Sequence, residues 1–216
     1  MHIIKLILTT VIISAISLSV ALGQDNQNEF TSVFKKKEGR TEHGGYGAIS
    51  FGYGSIDGKP ALQTSIRGAW VIDHHIALGF AGYGFINNLE KTNDINEYYL
   101  GGGYGGFYFE PIILPNSPIH VSFPILIGGG GISTIPSNYM DFDPGFDFLY
   151  QYDVFFVFEP GVELEINMVK FFRIGLGASY RFTNGVLLTY PVSNNAVPKN
   201  VLDGFNFYMN LKFGKF

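Results

Sequence analysis

Apolar and polar side chains alternate along most of the segment 150–167. One parity carries the apolar residues Tyr150, Tyr152, Val154, Phe156, Phe158, Val162, Leu164 and Ile166. The other parity carries the polar residues Gln151, Asp153, Glu159, Glu163, Glu165 and Asn167. This period of two predicts a β-strand, because successive side chains of a strand point to opposite faces. At roughly 3.3 Å per residue, the strand is long enough to cross a lipid bilayer even when tilted.

Similar segments, separated by turn residues, follow one another from residue 44 to the end of the chain. They predict eight strands, at residues 45–55, 60–72, 75–86, 95–110, 119–132, 148–167, 169–183 and 203–216. The alternation is clear in the second, fifth, seventh and eighth of them. Glycines weaken it in the first, third and fourth, and glycine inside a strand often marks a bulge or a bend.

The connections between these strands separate a membrane barrel from a soluble β-sandwich or a lipocalin-like periplasmic protein, whose strands also alternate. The connections 73–74 and 168 are very short, whereas 133–147 and 184–202, which fall on the opposite side, are the longest. Short periplasmic turns and long external loops are typical of outer-membrane barrels. Only a closed barrel pairs every backbone group of such strands inside lipid. The sequence therefore predicts an all-β, eight-stranded, antiparallel, up-and-down transmembrane β-barrel.

Composition agrees with this prediction and excludes several other classes. Hydrophobic residues make up 46% of the chain and charged residues 15%, yet no segment after the N-terminal one is apolar for the length of a membrane helix. A net charge of -4 argues against a nucleic-acid-binding surface. The chain has no cysteine, which excludes disulfides, thiolate metal sites and cysteine nucleophiles.

The N-terminal segment has the features of an export signal. Lys5 precedes an apolar stretch that ends in Ala21-Leu22-Gly23, a small-x-small cleavage pattern. An uncleaved anchor helix is the competing interpretation. We expect a cleavable signal peptide at residues 1–23, a polar flexible segment at 24–43 and the barrel at 44–216. The expected location is the outer membrane.

The inward faces of the predicted strands carry charges of both signs. They are Arg67, Asp153, Glu159, Glu163, Glu165, Arg173, Arg181 and Lys212. Side chains fill a barrel of eight strands, and buried charges are costly unless paired, so an interior charge network is expected. A three-residue turn after Ile166 would place Glu163 opposite Arg173 and Arg181 diagonal to Asp153. Such a network either plugs the barrel or lines a narrow polar path or ligand cavity.

Candidate chemistry is sparse. His120, Ser122 and Glu165 share a face and form the only candidate set for a lipid-modifying enzyme, but nothing in the sequence brings them into contact. The acidic stretch with Asp141, Asp143 and Asp147 does not match the spacing of a helix-flanked calcium loop. We therefore expect no catalytic residue, metal site or cofactor. The apolar residues of the two longest loops form either an exposed contact surface or a lid over the barrel mouth.

Two stretches carry a family resemblance. The tail from Gly204 to Phe216 resembles the last strand of an outer-membrane barrel, and residues 177–182 followed by Asn184-Gly185 resemble the small barrels common in Bacteroidetes, with an OmpA/OmpX-like architecture. The resemblance implies outer-membrane lipid and the barrel-insertion machinery as partners, Phe213 and Phe216 as the assembly signal, a monomer, and a structural or surface-interaction role. Two irregularities are expected to need accommodation. Phe216 would need a bulge at Gly214 to face lipid, and Pro124 needs a bulge or a gap.

Overall fold

The computed structural model describes residues 42–87, 98–136, 151–189 and 196–216. The expected signal peptide at 1–23 and nearly all of the segment 24–43 lie outside the described residues. The same is true of the acidic stretch 141–147. No helix in the described part is both long enough and apolar enough to cross a membrane.

Nine β-strands account for most of the described chain. They are β1 (His43–Ile56), β2 (Lys59–Ile72), β3 (Ile76–Asn87), β4 (Tyr98–Ile113), β5 (Ile119–Ser122), β6 (Ile125–Pro136), β7 (Tyr152–Val169), β8 (Phe172–Thr183) and β9 (Gly204–Lys215). Every pairing between them is antiparallel.

The sheet closes on itself. β1 pairs with β2 on one side and with the last strand, β9, on the other, and each remaining strand has a partner on both edges. Strands β5 and β6 lie end to end between β4 and β7 and together occupy one strand position of the barrel. The nine strands therefore fill eight strand positions, which we call staves. The predicted eight-stranded antiparallel barrel is confirmed.

The break between β5 and β6 lies at Pro124. This residue has no N–H to donate, and the strand stops at Ser122 and resumes at Ile125. The backbone remains tied on both sides, because Phe123 N donates to Pro111 O at 2.9 Å and Gly161 N donates to Pro124 O at 2.8 Å. The single strand predicted at 119–132 is therefore wrong in its continuity, and the gap expected at Pro124 is the cause.

The barrel wall has apolar side chains on its outer face and charged side chains on its inner face, the reverse of a soluble protein. Large apolar residues point outward and are exposed, as with Ile66 (69%), Phe80 (72%) and Val154 (71%). Charged residues point inward and are buried, including Arg67, Lys212 and the three glutamates of β7. A soluble sandwich would bury the apolar face instead. The exterior of this barrel suits a hydrocarbon solvent, as in outer-membrane barrels.

The connections differ between the two ends of the barrel. At one end, here called the turn end, the connections are residues 73–75, 114–118 and 170–171, and the chain both enters β1 and leaves β9 there. At the other, the loop end, a two-residue turn with positive φ at Asp57 and Gly58 accompanies the long connections 88–97, 137–151 and 184–203. The predicted asymmetry of short and long connections is present.

The register between β7 and β8 differs from the predicted one. Glu163 pairs with Gly177 and not with Arg173, whose partner is Asn167. The turn lies at Lys170–Phe171 after an irregularity between Asn167 and Val169, two residues later than the predicted turn. Because each residue of delay at the turn shifts the pairing by two, the predicted neighbours Glu163 and Arg173 are separated along the barrel axis. The proposed diagonal of Arg181 with Asp153 is wrong for the same reason.

Candidate functional site: the filled barrel interior

Lys212 lies at the centre of a buried cluster near the turn end. Its Nζ donates to Glu110 Oε1 at 2.5 Å and to Glu165 Oε1 at 2.9 Å, and it lies 3.2 Å from Glu163 Oε1. These four side chains come from β9, β4 and β7, so the contacts cross the barrel. We call this group, with Arg67, Arg173 and His120, the turn-end cluster.

Arg67 of β2 approaches one of these carboxylates, that of Glu163, from the opposite wall. Its Nη1 donates to Glu163 Oε2 at 3.1 Å and to the Tyr108 hydroxyl at 3.0 Å. The Asn210 amide donates to the other oxygen of Glu163 at 2.9 Å. One oxygen of this carboxylate therefore accepts from β2 and the other from β9. In this way Glu163 links β7 to both strands across the lumen.

The partly buried ring of Phe216 lies against the turn-end cluster at the floor of the barrel. The guanidinium of Arg173 lies 3.7 Å from Glu165 Oε2 and 3.9 Å from the centre of the Phe216 ring. That ring also stacks on Tyr46, with 5.7 Å between the ring centres. The pairing of β9 with β1 runs through Gly214 without a shift, so the bulge expected there is absent and Phe216 faces the interior. Phe213, by contrast, is exposed on the outer face.

Sequence reasoning missed one charged member of this cluster, Glu110. Glu110 is fully buried and accepts hydrogen bonds from Lys212, from the Ser122 hydroxyl at 2.8 Å and from the Tyr46 hydroxyl. Its strand is so rich in glycine that the alternation is hard to follow. Extending the parity of Tyr104 and Tyr108 along β4 would have placed Glu110 on the inward face.

A second group of polar side chains lies nearer the loop end, and we call it the loop-end cluster. The carboxylate of Glu159 accepts from the Ser179 hydroxyl at 2.5 Å and from the Tyr104 hydroxyl at 2.6 Å. Arg181 lies beside it and donates from Nε to the backbone carbonyl of Leu202 at 2.7 Å.

The structure divides the eight charged residues predicted for the interior among three places. Five of them, Arg67, Glu163, Glu165, Arg173 and Lys212, lie in the turn-end cluster. Glu159 and Arg181 lie in the loop-end cluster. Asp153 is at the rim, where its carboxylate accepts from the backbone N–H groups of Val154 at 2.8 Å and Leu187 at 2.6 Å. It therefore anchors a loop instead of joining the ion pairs.

The described parts of the β8–β9 connection, residues 184–189 and 196–203, fold into the barrel mouth, and we call them the lid. Val197 N donates to Leu188 O at 2.8 Å and Thr189 bridges to Ala196, so the two parts run antiparallel. The lid contributes buried apolar side chains to the core at Val186, Leu188, Val197, Val201 and Leu202. Of the two roles left open for this loop, these residues take that of a lid.

Two kinds of chemistry could arise among these interior side chains, nucleophilic catalysis and metal binding. Ser122 Oγ donates to Glu110 and not to His120, whose Nε2 lies 3.3 Å from Glu165 Oε2. The described contacts therefore do not join Ser122, His120 and Glu165 into one nucleophile–base–carboxylate set. The carboxylates of Glu110, Glu163 and Glu165 approach one another within 4.8 Å, a spacing that suits a metal ion. The ammonium of Lys212 contacts all three carboxylates and supplies the positive charge that a metal ion would bring.

Together these features define a closed eight-stave barrel with an apolar exterior, an ionic interior and a lidded mouth. No protein-family model matches the chain, and no curated protein matches it. Among solved structures, Neisserial surface protein A is similar over 81% of this chain and 97% of its own, with a TM-score of 0.54 and 8% identity. Ail, the attachment invasion locus protein of Yersinia pestis, is similar over 80% of this chain and 97% of its own, with a TM-score of 0.50 and 9% identity. At such identities, the comparisons establish the fold alone.

Proposed function

We propose that the chain is an integral outer-membrane protein whose plugged barrel serves as a rigid scaffold and presents the loop-end segments outside the cell. Its role is structural or one of surface interaction. The observation that carries this proposal is the inverted wall, with exposed apolar side chains outside and buried ion pairs inside. In water such a surface would aggregate, whereas in lipid it is solvated.

The dimensions of the wall support the membrane assignment. β7 has 18 residues, and at about 3.3 Å per residue and a tilt of about 40° it rises roughly 45 Å along the barrel axis. The outward apolar band of outer-membrane barrels is about 25 Å tall. The strand therefore crosses the hydrocarbon layer and leaves residues for both interfaces.

The interior supports a non-conducting barrel. Within the described residues, the turn-end cluster crosses the lumen, the ring of Phe216 lies at the floor and the lid covers the mouth. Four buried carboxylates and four buried Lys or Arg side chains balance in charge. A barrel of eight staves has little space beyond its own side chains, so a plug is the expected consequence.

Biogenesis follows from the sequence features. We propose export by a cleavable signal peptide, insertion by the barrel-assembly machinery through the C-terminal strand with Phe213 and Phe216, and a lipid-embedded monomer. The names of the two proteins of similar fold, a surface protein and an attachment protein, favour an external role over a metabolic one.

Two experiments test the proposal. The first is fractionation of the expressed chain, with heat-modifiable migration on a gel. It should appear in the outer membrane and migrate differently when boiled, and recovery in the periplasm would contradict the membrane assignment. The second is single-channel recording in planar bilayers. The plug predicts no steady openings, whereas reproducible conductance would show a conduit in place of a scaffold.

A further inference from the structure

Arg181 differs from the other buried cations of the barrel. Arg67, Arg173 and Lys212 each lie within 4.0 Å of at least one carboxylate oxygen. Arg181 is 1% exposed, yet no carboxylate of the described residues lies that close to it. Glu159 balances its charge from a distance, but a guanidinium removed from water without a direct ion pair is costly, so this position needs an explanation.

The neighbours of Arg181 leave part of its donor capacity unused. Nη1 is 3.5 Å from the Tyr104 hydroxyl, and the guanidinium lies over the rings of Phe85 and Tyr104 at 5.3 and 5.4 Å. Nη2 is buried and has no hydrogen-bond partner among the described residues. Glu159 does not supply one, because its carboxylate lies more than 4.0 Å from the guanidinium and is linked to it through the Tyr104 hydroxyl.

On the loop-end side of this charge, the inward-facing side chains of the wall are apolar, and we call the space between them the chamber. Its wall belongs to the buried apolar core and contains Ile56, Phe85, Leu100, Ile132, Phe155 and Val157. The lid fills it with Val186, Leu188, Val197, Val201 and Leu202, which belong to the same core.

The lid places a polar oxygen on the charge and hydrocarbon in the chamber. The carbonyl of Leu202 accepts the 2.7 Å hydrogen bond from Arg181 Nε, and the side chain of the same residue is fully buried. A carboxylate attached to an alkyl chain would present the same groups in the same order. It would also bring the negative charge that the carbonyl lacks and a second oxygen for Nη2.

We propose that the chamber is a binding site for a monoanionic, single-chain amphiphile of the fatty-acid type, with its carboxylate on Arg181, and that the lid is its competitor. The amphiphile enters from the loop end when the lid swings outward. Opening breaks the hydrogen bonds of Gln151 with Thr189 at 2.6 and 2.8 Å, of Asp153 with Leu187 at 2.6 Å and of Arg181 with Leu202 at 2.7 Å. It also withdraws the buried apolar side chains of the lid, whose place the alkyl chain takes. The turn-end cluster stays in place, so binding does not open a channel.

Binding of dodecanoate to the full chain in lipid nanodiscs tests this site. Titration calorimetry against empty nanodiscs should show one saturable site for dodecanoate and none for dodecan-1-ol or acetate, since both the charge and the chain are needed. Arg181→Met should weaken binding at least about tenfold, the effect of losing one charge-assisted hydrogen bond. Arg181→Lys should retain part of the affinity, and Lys170→Met, which removes an exposed charge at the turn end, far from the lid, should leave it unchanged. Equal affinity of Arg181→Met and wild type, with both folded by gel mobility, would overturn the proposal.

A tether tests the lid separately. The chain has no cysteine, so Gln151→Cys combined with Thr189→Cys introduces a single disulfide where these side chains now touch. Binding should disappear in the oxidised protein and return on reduction. Equal binding in both states would show that the lid does not compete. Conductance is unaffected in either case, so failure here is distinguishable from failure of the scaffold proposal.

Discussion

Replacing Lys212 by methionine removes the cation on which the turn-end cluster depends. Of its three carboxylate partners, Glu163 keeps Arg67 at 3.1 Å, and Glu165 keeps Arg173 at 3.7 Å and His120 at 3.3 Å. Glu110 has no other cation within 4.0 Å in the described part and keeps only hydroxyl donors. The variant therefore leaves one buried carboxylate without a counter-charge, which costs about 3–5 kcal/mol of unfolding free energy.

Urea unfolding from lipid vesicles measures this loss. The single tryptophan of the chain, Trp70, is 51% exposed on the outer wall, so its emission reports departure from lipid. Lys215→Met is the matched control, because Lys215 is exposed on the same strand, and its effect should stay within about 0.5 kcal/mol. Adding Glu110→Gln to Lys212→Met should recover part of the loss, since the unpaired charge is then removed as well. Equal stability of the Lys212 and Lys215 variants would refute the reasoning.

Two further predictions use the same unfolding measurement. Phe216→Ala removes the ring that lies 3.9 Å from the Arg173 guanidinium and stacks on Tyr46, and should cost about 1–3 kcal/mol; a change below about 0.5 kcal/mol would show that the ring does not stabilise the floor. Gly79→Ala should destabilise by about 1–3 kcal/mol, because its Cβ would meet the Gly68 carbonyl oxygen at 1.9 Å. Gly82→Ala on the outer face of the same strand, where the nearest atom is 4.0 Å away, should be nearly neutral, and equal effects of the two alanines would contradict the assigned faces.

The strands and the closed barrel were predictable because each side of the wall selects the residue type at every second position of a strand. Alternation places an apolar row toward lipid and a polar row toward the lumen, and that signal survives in every strand with side chains on both faces. In β4 the five glycines between Gly101 and Gly106 erase it, which is why Glu110 was missed. Pro124 predicted an interruption correctly, since the missing N–H is a local property.

The contacts across the lumen were not predictable from the sequence. Which side chains meet there depends on the stagger of all eight staves and on the position of each turn. The delayed turn at Lys170–Phe171 moved Arg173 away from Glu163, and Arg67 from β2 took the place opposite that carboxylate. Likewise, the apolar residues of segment 184–203 indicated burial somewhere but left a lid and a contact surface equally open. The role of Phe213 and Phe216 in assembly stays a prediction.

Lys212 holds carboxylates of β4 and β7 together across the lumen. Solid-state NMR in lipid bilayers measures this directly, through dipolar coupling between lysine 15Nζ and glutamate 13Cδ in protein labelled at both. The structure predicts one strongly coupled lysine, with oxygens of three carboxylates within 3.2 Å, and loss of that signal in Lys212→Met. A Lys212 ammonium that exchanges freely with water and shows no coupling to a carboxyl carbon would contradict the filled interior.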